Sequence, residues 1–188
     1  MTDPVRLDIF SDPICPWCYI GKANLDRALE SRPDHPFTIG WHPFRLNPDM
    51  PREGVDRRWY LETKFGGRAQ AVQVYARIEA AAKAAGVEID FEGIERTPNT
   101  LDAHRVIHWA GLEGRQHAVK GALMRAYFRE GRDIGDAGVL AEVAGQAGLD
   151  ATMVERLLEG EADRDEMAAR DADARAKGLT GVPGFLIG

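Results

Sequence analysis

Cys15 and Cys18 are the whole thiol inventory of the 188 residues, and Pro16 and Trp17 separate them. Two intervening residues close too small a loop for a structural staple. A lone C-x-x-C therefore points first to redox or metal chemistry. On a helix, residues three apart have Cα atoms about 5 Å apart, within reach of a disulfide. The pair could then pass between dithiol and disulfide with little backbone movement. Pro16 suits a first helical position, because its φ is pre-set and its missing N–H would have had no partner. That places Cys15 at the helix start, where unpaired N–H groups and the helix dipole favour an anion. Its thiol is expected below the ordinary ~8.5, as a nucleophile near neutral pH. Cys18, a turn further in, is expected to be less exposed. The roles follow: Cys15 attacks or is attacked, and Cys18 resolves the mixed disulfide.

Two other readings compete. Zinc wants four ligands, and no second cysteine pair exists. Of His35, His42, His104, His108 and His117, the pair His104 and His108 has i, i+4 spacing. Arg105 stands where a zinc protease has its glutamate, so no metal site is expected. Two unrelated buried cysteines would leave Pro16 unexplained.

The elements that position the pair can be read around it. Val5 to Ser11 is short, apolar at alternate positions and stopped by Asp12-Pro13, a buried strand. A helix runs from Cys15-Pro16 to about Ser31, and Phe37 to Phe44 alternates as a second strand. From Arg57 the apolar period becomes 3.6. Helices are expected over 57–65, 68–85, 100–110, 115–130, 137–147 and 151–159, with Asp136 and Asp150 as N-caps. Gly66-Gly67, Gly86, Gly111, Gly131 and Gly148 lie near their ends as C-caps. A charged helix, 162–177, precedes a third apolar strand, Gly184 to Ile187. A parallel strand–helix–strand unit puts the start of its helix at the carboxyl ends of the strands, where α/β folds keep their chemistry.

Composition bounds the rest. With 44% hydrophobic and 29% charged residues the chain is an ordinary globular one. No apolar run approaches the ~20 residues of a membrane span. Lys plus Arg number 24 against 30 Asp plus Glu, a net charge of −6 with no basic cluster, which disfavours nucleic acid. Asp3 and Asp8 stand where a secretory signal would be basic. The expected compartment is therefore cytoplasmic, with no membrane partner.

The segments D-P-I-C-P-W-C-Y-I-G-K, W-H-P-F-R-L-N-P, P-N-T-L-D-A-H-R and a late G-V-P, in that order, resemble the DsbA-like thioredoxin-fold oxidoreductases of the FrnE subgroup. That family is shared with 2-hydroxychromene-2-carboxylate isomerases and kappa-class glutathione transferases. The resemblance implies an α/β fold: a thioredoxin-like domain over 1–50 and 160–188, with an all-helical subdomain, 51–159, inserted after the second strand. It also implies a cis Val182-Pro183 bond facing the cysteines, whose backbone would pair with an extended peptide or glutathione. A C-terminal strand and helix that family members carry after the third strand are missing from the 188 residues, so a truncated chain with an uncovered sheet edge is expected. The family's periplasmic oxidant has His in place of Trp17, which implies a less oxidising pair here.

Pro16, Trp17, Val182 and Pro183 are thus the expected substrate contacts beside Cys15 and Cys18. Asn99 reads first as a helix cap. By resemblance its helix borders the cleft, so Asn99 and His104 become substrate contacts too. Trp59, Tyr60, Phe65 and Tyr75 have helical spacing and read mostly as core, and Arg45 as half of a surface ion pair. The leading function is a thiol–disulfide oxidoreductase acting on a disulfide-containing protein or peptide, with no bound cofactor and glutathione as a co-substrate. The alternative is a glutathione-dependent isomerase or transferase acting on a small aromatic molecule, where relatives commonly have Ser at the first cysteine. A non-catalytic, chaperone-like binder and a homodimer also remain open.

Overall fold

The computed structural model describes residues 4–188. Strand β1, Val5–Ser11, runs through the middle of a three-stranded sheet and buries Leu7, Ile9 and Ser11 on one face. Helix α1, Pro16–Ser31, crosses over to β2, Phe37–Pro43, which pairs parallel to β1 from Val5↔Phe37 to Ser11↔Pro43. This is the expected strand–helix–strand unit, with the start of α1 at the carboxyl end of β1.

A two-residue strand β3, Val55–Asp56, pairs antiparallel with β4, Arg96–Thr97. Neither was legible in the sequence, because two residues carry no periodicity. Between and after them come α2, Arg57–Phe65, α3, Arg68–Ala84, α4, Leu101–Leu112, α5, Gln116–Phe128, α6, Ala137–Gln146, α7, Ala151–Glu159, and α8, Arg164–Ala176. Asp136 and Asp150 cap α6 and α7 by accepting the N–H groups of Val139 and Met153. Gly111 lies inside α4, and Gly114 takes the left-handed conformation instead. Gly131 is required where it stands: its φ is +63°, and a Cβ there would lie 2.2 Å from the Gly93 carbonyl oxygen.

The last strand, β5, Gly184–Ile187, pairs antiparallel with β1 and gives the order β2-β1-β5. Phe185, Leu186 and Ile187 on this edge strand are exposed. One continuous core runs from Leu7 and Ile9 through Cys15 and Cys18 into Val106, Val119, Leu123, Met124 and Phe128, and on to Leu140 and Leu158. A smaller cluster joins Ile20 of α1 to Ile78 and Ala82 of α3, so α3 of the helical block lies against α1.

Three side chains depart from expectation. Trp59 is 58% exposed, on the outer face of α2. Arg45 is buried, because α8 brings Asp171 to it: its backbone N–H donates to Asp171 Oδ1 at 2.9 Å and its Nε to Oδ2 at 3.2 Å. Asp171 itself is therefore interior, although α8 reads as a solvated charged helix.

Candidate active site

Cys15 is the N-cap of α1, in extended backbone conformation, and Pro16 opens the helix. A side chain at that position faces the free N–H groups of the second and third helical residues, here Trp17 and Cys18. The Cys15 thiol is drawn below its ordinary value, first by a hydrogen bond from the Cys18 thiol; burial opposes this, and the amides of Cys18 and Trp17 assist. Cys18 is pushed well up, chiefly by burial and then by its bond to the Cys15 sulfur and that sulfur's charge. The two thiols are free, and their acidities are driven apart. Both are interior, with Cys15 only 3% exposed, so the first cysteine is less open than its position alone predicts. Trp17 beside it is 46% exposed, and Pro16 is half-buried.

The Val182-Pro183 peptide bond is cis. The Val182 carbonyl oxygen lies 3.8 Å from Cys15 Sγ, which donates a weak S–H···O contact. Gly21, a turn beyond Cys18, packs closely under the same loop: a Cβ there would meet Pro183 Cγ at 3.3 Å. Cys15, Cys18, Val182 and Pro183 thus converge from two ends of the chain.

Beneath them lies a buried polar cluster. The Asp12 carbonyl accepts the Cys15 N–H at 3.0 Å, and Asp12 Oδ2 accepts the Leu46 N–H at 2.7 Å. Its Oδ1 lies 3.6 Å from His104 Nε2, too far for a hydrogen bond, and neither atom has another partner. Burial pushes the Asp12 carboxyl up, but the facing imidazole, the Leu46 N–H and the Lys120 ammonium outweigh it and hold the group ionised. Burial pulls His104 down, against the opposing pull of Asp12. Lys120, 1% exposed on α5, sits over the Trp41 ring with Nζ 5.6 Å from the centroid. Burial lowers its ammonium to about 8 against the attraction of Cys18, Asp12 and Cys15.

Asn99 and His104 are placed differently from the four residues above. His104 is 3% exposed and faces Asp12 from the inward side of α4, so it supports the site from behind and presents nothing to a substrate in this conformation. Asn99 is committed to backbone: Nδ2 donates to the Met50 carbonyl at 2.6 Å and Oδ1 accepts the N–H of Leu101, the first residue of α4, at 2.9 Å, while Thr100 is the N-cap of that helix. Asp12 and Lys120 were missed by sequence reasoning. Lys120 did leave a signal: it shares helical spacing with Leu123, Met124 and Tyr127, all buried, and is a cation on an apolar stripe.

Two clefts lie elsewhere. One of about 770 Å³ lies between α1, α5 and α6 and is lined by Lys22, Asp26, His117 and Arg125. Another of about 670 Å³ lies over Arg57, Tyr75 and Phe91. A dithiol at a helix start, faced by a cis-proline loop on a β1-α1-β2 unit, is the arrangement of a thioredoxin fold. The chain belongs to the DSBA-like thioredoxin domain family, which matches residues 6–188. It is 28% identical to the uncharacterized protein YwbO of Bacillus subtilis over 186 residues, 98% of this chain and 87% of that one. Among solved structures it is similar to the probable DsbA oxidoreductase of Streptomyces coelicolor, at 33% identity and a TM-score of 0.86, covering 97% of this chain and 80% of that one. The fold is shared with 2-hydroxychromene-2-carboxylate isomerase at 17% identity (TM-score 0.74, 97% and 85% covered). It is shared also with the cytosolic disulfide reductase DsbM of Pseudomonas aeruginosa, solved with glutathione, at 21% identity (TM-score 0.68, 96% and 84% covered).

Proposed function

We propose that this protein catalyses thiol–disulfide exchange, with Cys15 as nucleophile and Cys18 as resolving cysteine. The observation that carries the reading is geometric: Cys15 is the N-cap of α1, Cys18 lies one turn in, and the Val182 carbonyl faces Cys15 Sγ at 3.8 Å, with the Cys15 thiol drawn down and the Cys18 thiol pushed up. A thiolate is the attacking species, and the lower-pKa sulfur is the better leaving group. In the reductive direction the Cys15 thiolate attacks a substrate disulfide and expels one substrate thiolate, which takes up a proton. Cys18 then loses its proton and attacks Cys15 Sγ. The second substrate thiol leaves and a Cys15–Cys18 disulfide remains. The oxidative direction is the reverse, and the electron count closes without a cofactor.

The substrate is a disulfide-containing protein or peptide, or glutathione, laid along the Val182-Pro183 backbone with Trp17 as an exposed apolar contact. The thioredoxin-like part, 1–50 and 160–188, supplies the thiols, and the helical subdomain, 51–159, covers them. Among the described residues no helix is long and apolar enough to cross a membrane. The cytosolic reductase of the same fold supports a cytoplasmic setting. The isomerase-like alternative gains a shared fold from its relative but lacks the Ser at the first cysteine position.

The test is turnover of insulin or a model disulfide, with the Cys15/Cys18 potential titrated against glutathione. Cys15→Ser should abolish exchange, and Cys18→Ser should trap a mixed disulfide. Full exchange activity in Cys15→Ser would refute the assignment. Glutathione-dependent isomerisation of an aromatic substrate without disulfide turnover would favour the alternative.

A further inference from the structure

We infer that His108, Asp163 and Glu166 form a surface site for a divalent transition-metal ion, separate from the thiol chemistry. One ligand atom from each residue lies within 4.8 Å of those of the other two, close enough for one ion to be held by all three. The residues come from two helices. His108 is in the last turns of α4; Asp163 is the N-cap of α8, and Glu166 is one turn along it.

The juxtaposition is held from beneath. Arg105, wholly buried on α4, donates Nε to the Ala162 carbonyl at 2.6 Å. Its Nη2 donates to the carbonyls of Leu157 and Gly160, both at 2.8 Å. These bonds fasten the turn that carries Asp163 onto the helix that carries His108. Trp109, stacked on Arg105 at 5.0 Å, donates its indole N–H to Asp163 Oδ2 at 2.7 Å. That bond orients the carboxylate and leaves Oδ1 for a metal, the arrangement by which outer partners fix first ligands. Asp163 is also not used as a cap. Asp56, Asp136 and Asp150 each accept an N–H from their own helix, whereas Asp163 makes no such bond.

The donor set selects the ion. One imidazole nitrogen with two carboxylate oxygens, and no thiolate, suits Zn²⁺, Co²⁺, Ni²⁺ or Mn²⁺ better than Ca²⁺ or Cu⁺. Three protein ligands leave a position for water. Two features oppose the ion. Arg170 is paired with Glu166 Oε1 at 2.5 Å, and the positive end of the α8 dipole disfavours a cation. Two negative charges at the site outweigh the dipole, and Glu166 Oε2 is not engaged by Arg170. Arg164 is turned to Asp102 and Glu161, and Arg105 beneath the site is engaged by Asp102 and by backbone carbonyls.

The experiment uses the full chain with Cys15→Ser and Cys18→Ser, so that no thiol can take up metal. Co²⁺ and Zn²⁺ are titrated by calorimetry, and the Co²⁺ complex is read by its visible spectrum. One ion should bind per chain, with ligand-field bands and no thiolate charge-transfer band. His108→Ala and Glu166→Gln, both at accessible positions, should each weaken binding at least tenfold. Trp109→Phe should weaken it roughly tenfold through Asp163. Absence of binding, or binding unchanged in His108→Ala and Glu166→Gln, would overturn the proposal.

Discussion

Replacing Lys120 by methionine tests the buried charge beneath the thiols. The ammonium falls from an ordinary 10.5 to about 8 because burial outweighs the attraction of Cys18, Asp12 and Cys15. That fall corresponds to roughly 3 kcal/mol by which the charged lysine disfavours the folded state. The sign follows from proton binding. Between about 8 and 10.5 the unfolded chain holds this proton and the folded chain has released it, so stability rises with pH across that window. Methionine has no such dependence. The comparison is best made in the Cys15→Ser/Cys18→Ser background, which removes thiol titration and, with it, two charges that hold the ammonium up. The lysine then titrates lower still. Urea unfolding from pH 6 to 10.5 should show the Lys120→Met chain losing about 3 kcal/mol of stability relative to its lysine parent. Its absolute advantage at pH 6 will be smaller than that, because Asp12 loses a counter-charge. Asp12 is ionised throughout this range and so cancels from the pH dependence. A difference between the two chains that stays constant from pH 6 to 10.5 would show that Lys120 is not held in a desolvated site.

Three further outcomes follow from the site and its supports. Alkylation of the reduced protein should modify Cys15 first, with a rate that climbs with pH below the ordinary thiol range, while Cys18 in Cys15→Ser stays slow until above it; equal rates at pH 7 would contradict the split. Trp17→His places an imidazolium at an exposed position beside the Cys15 thiolate and should raise the potential by tens of millivolts, since about 30 mV is ~1.4 kcal/mol for a two-electron couple; an unchanged or lower value refutes it. Asp171→Ala leaves buried Arg45 without its carboxylate. It should cost about 3–5 kcal/mol, a fall in Tm of roughly 10 °C by thermal denaturation, and a loss under 1 kcal/mol would show the ion pair to be dispensable.

Local signals in the chain determined much of this protein. Pro16 at a helix start fixes Cys15 as an N-cap, and the alternation of Val5 to Ser11 fixes a strand before it; both depend on contacts within a few residues. Helices α2 and α7 begin and end where period, caps and glycines place them. The G-V-P segment identified the loop facing the thiols through resemblance, since nothing local to residues 182–183 points 167 positions back to Cys15. Tertiary structure alone decided the rest. Whether Asp12, His104 and Lys120 meet depends on how β1, α4 and α5 pack, and periodicity shows which face of a helix is apolar without showing what it faces. The burial of Arg45 and Asp171 is likewise set by α8 docking 126 residues downstream. His108, Asp163 and Glu166 became neighbours because Arg105 ties one helix to the turn before another. Charges of this kind read as surface in a sequence, because their desolvation is offset only by partners that folding supplies.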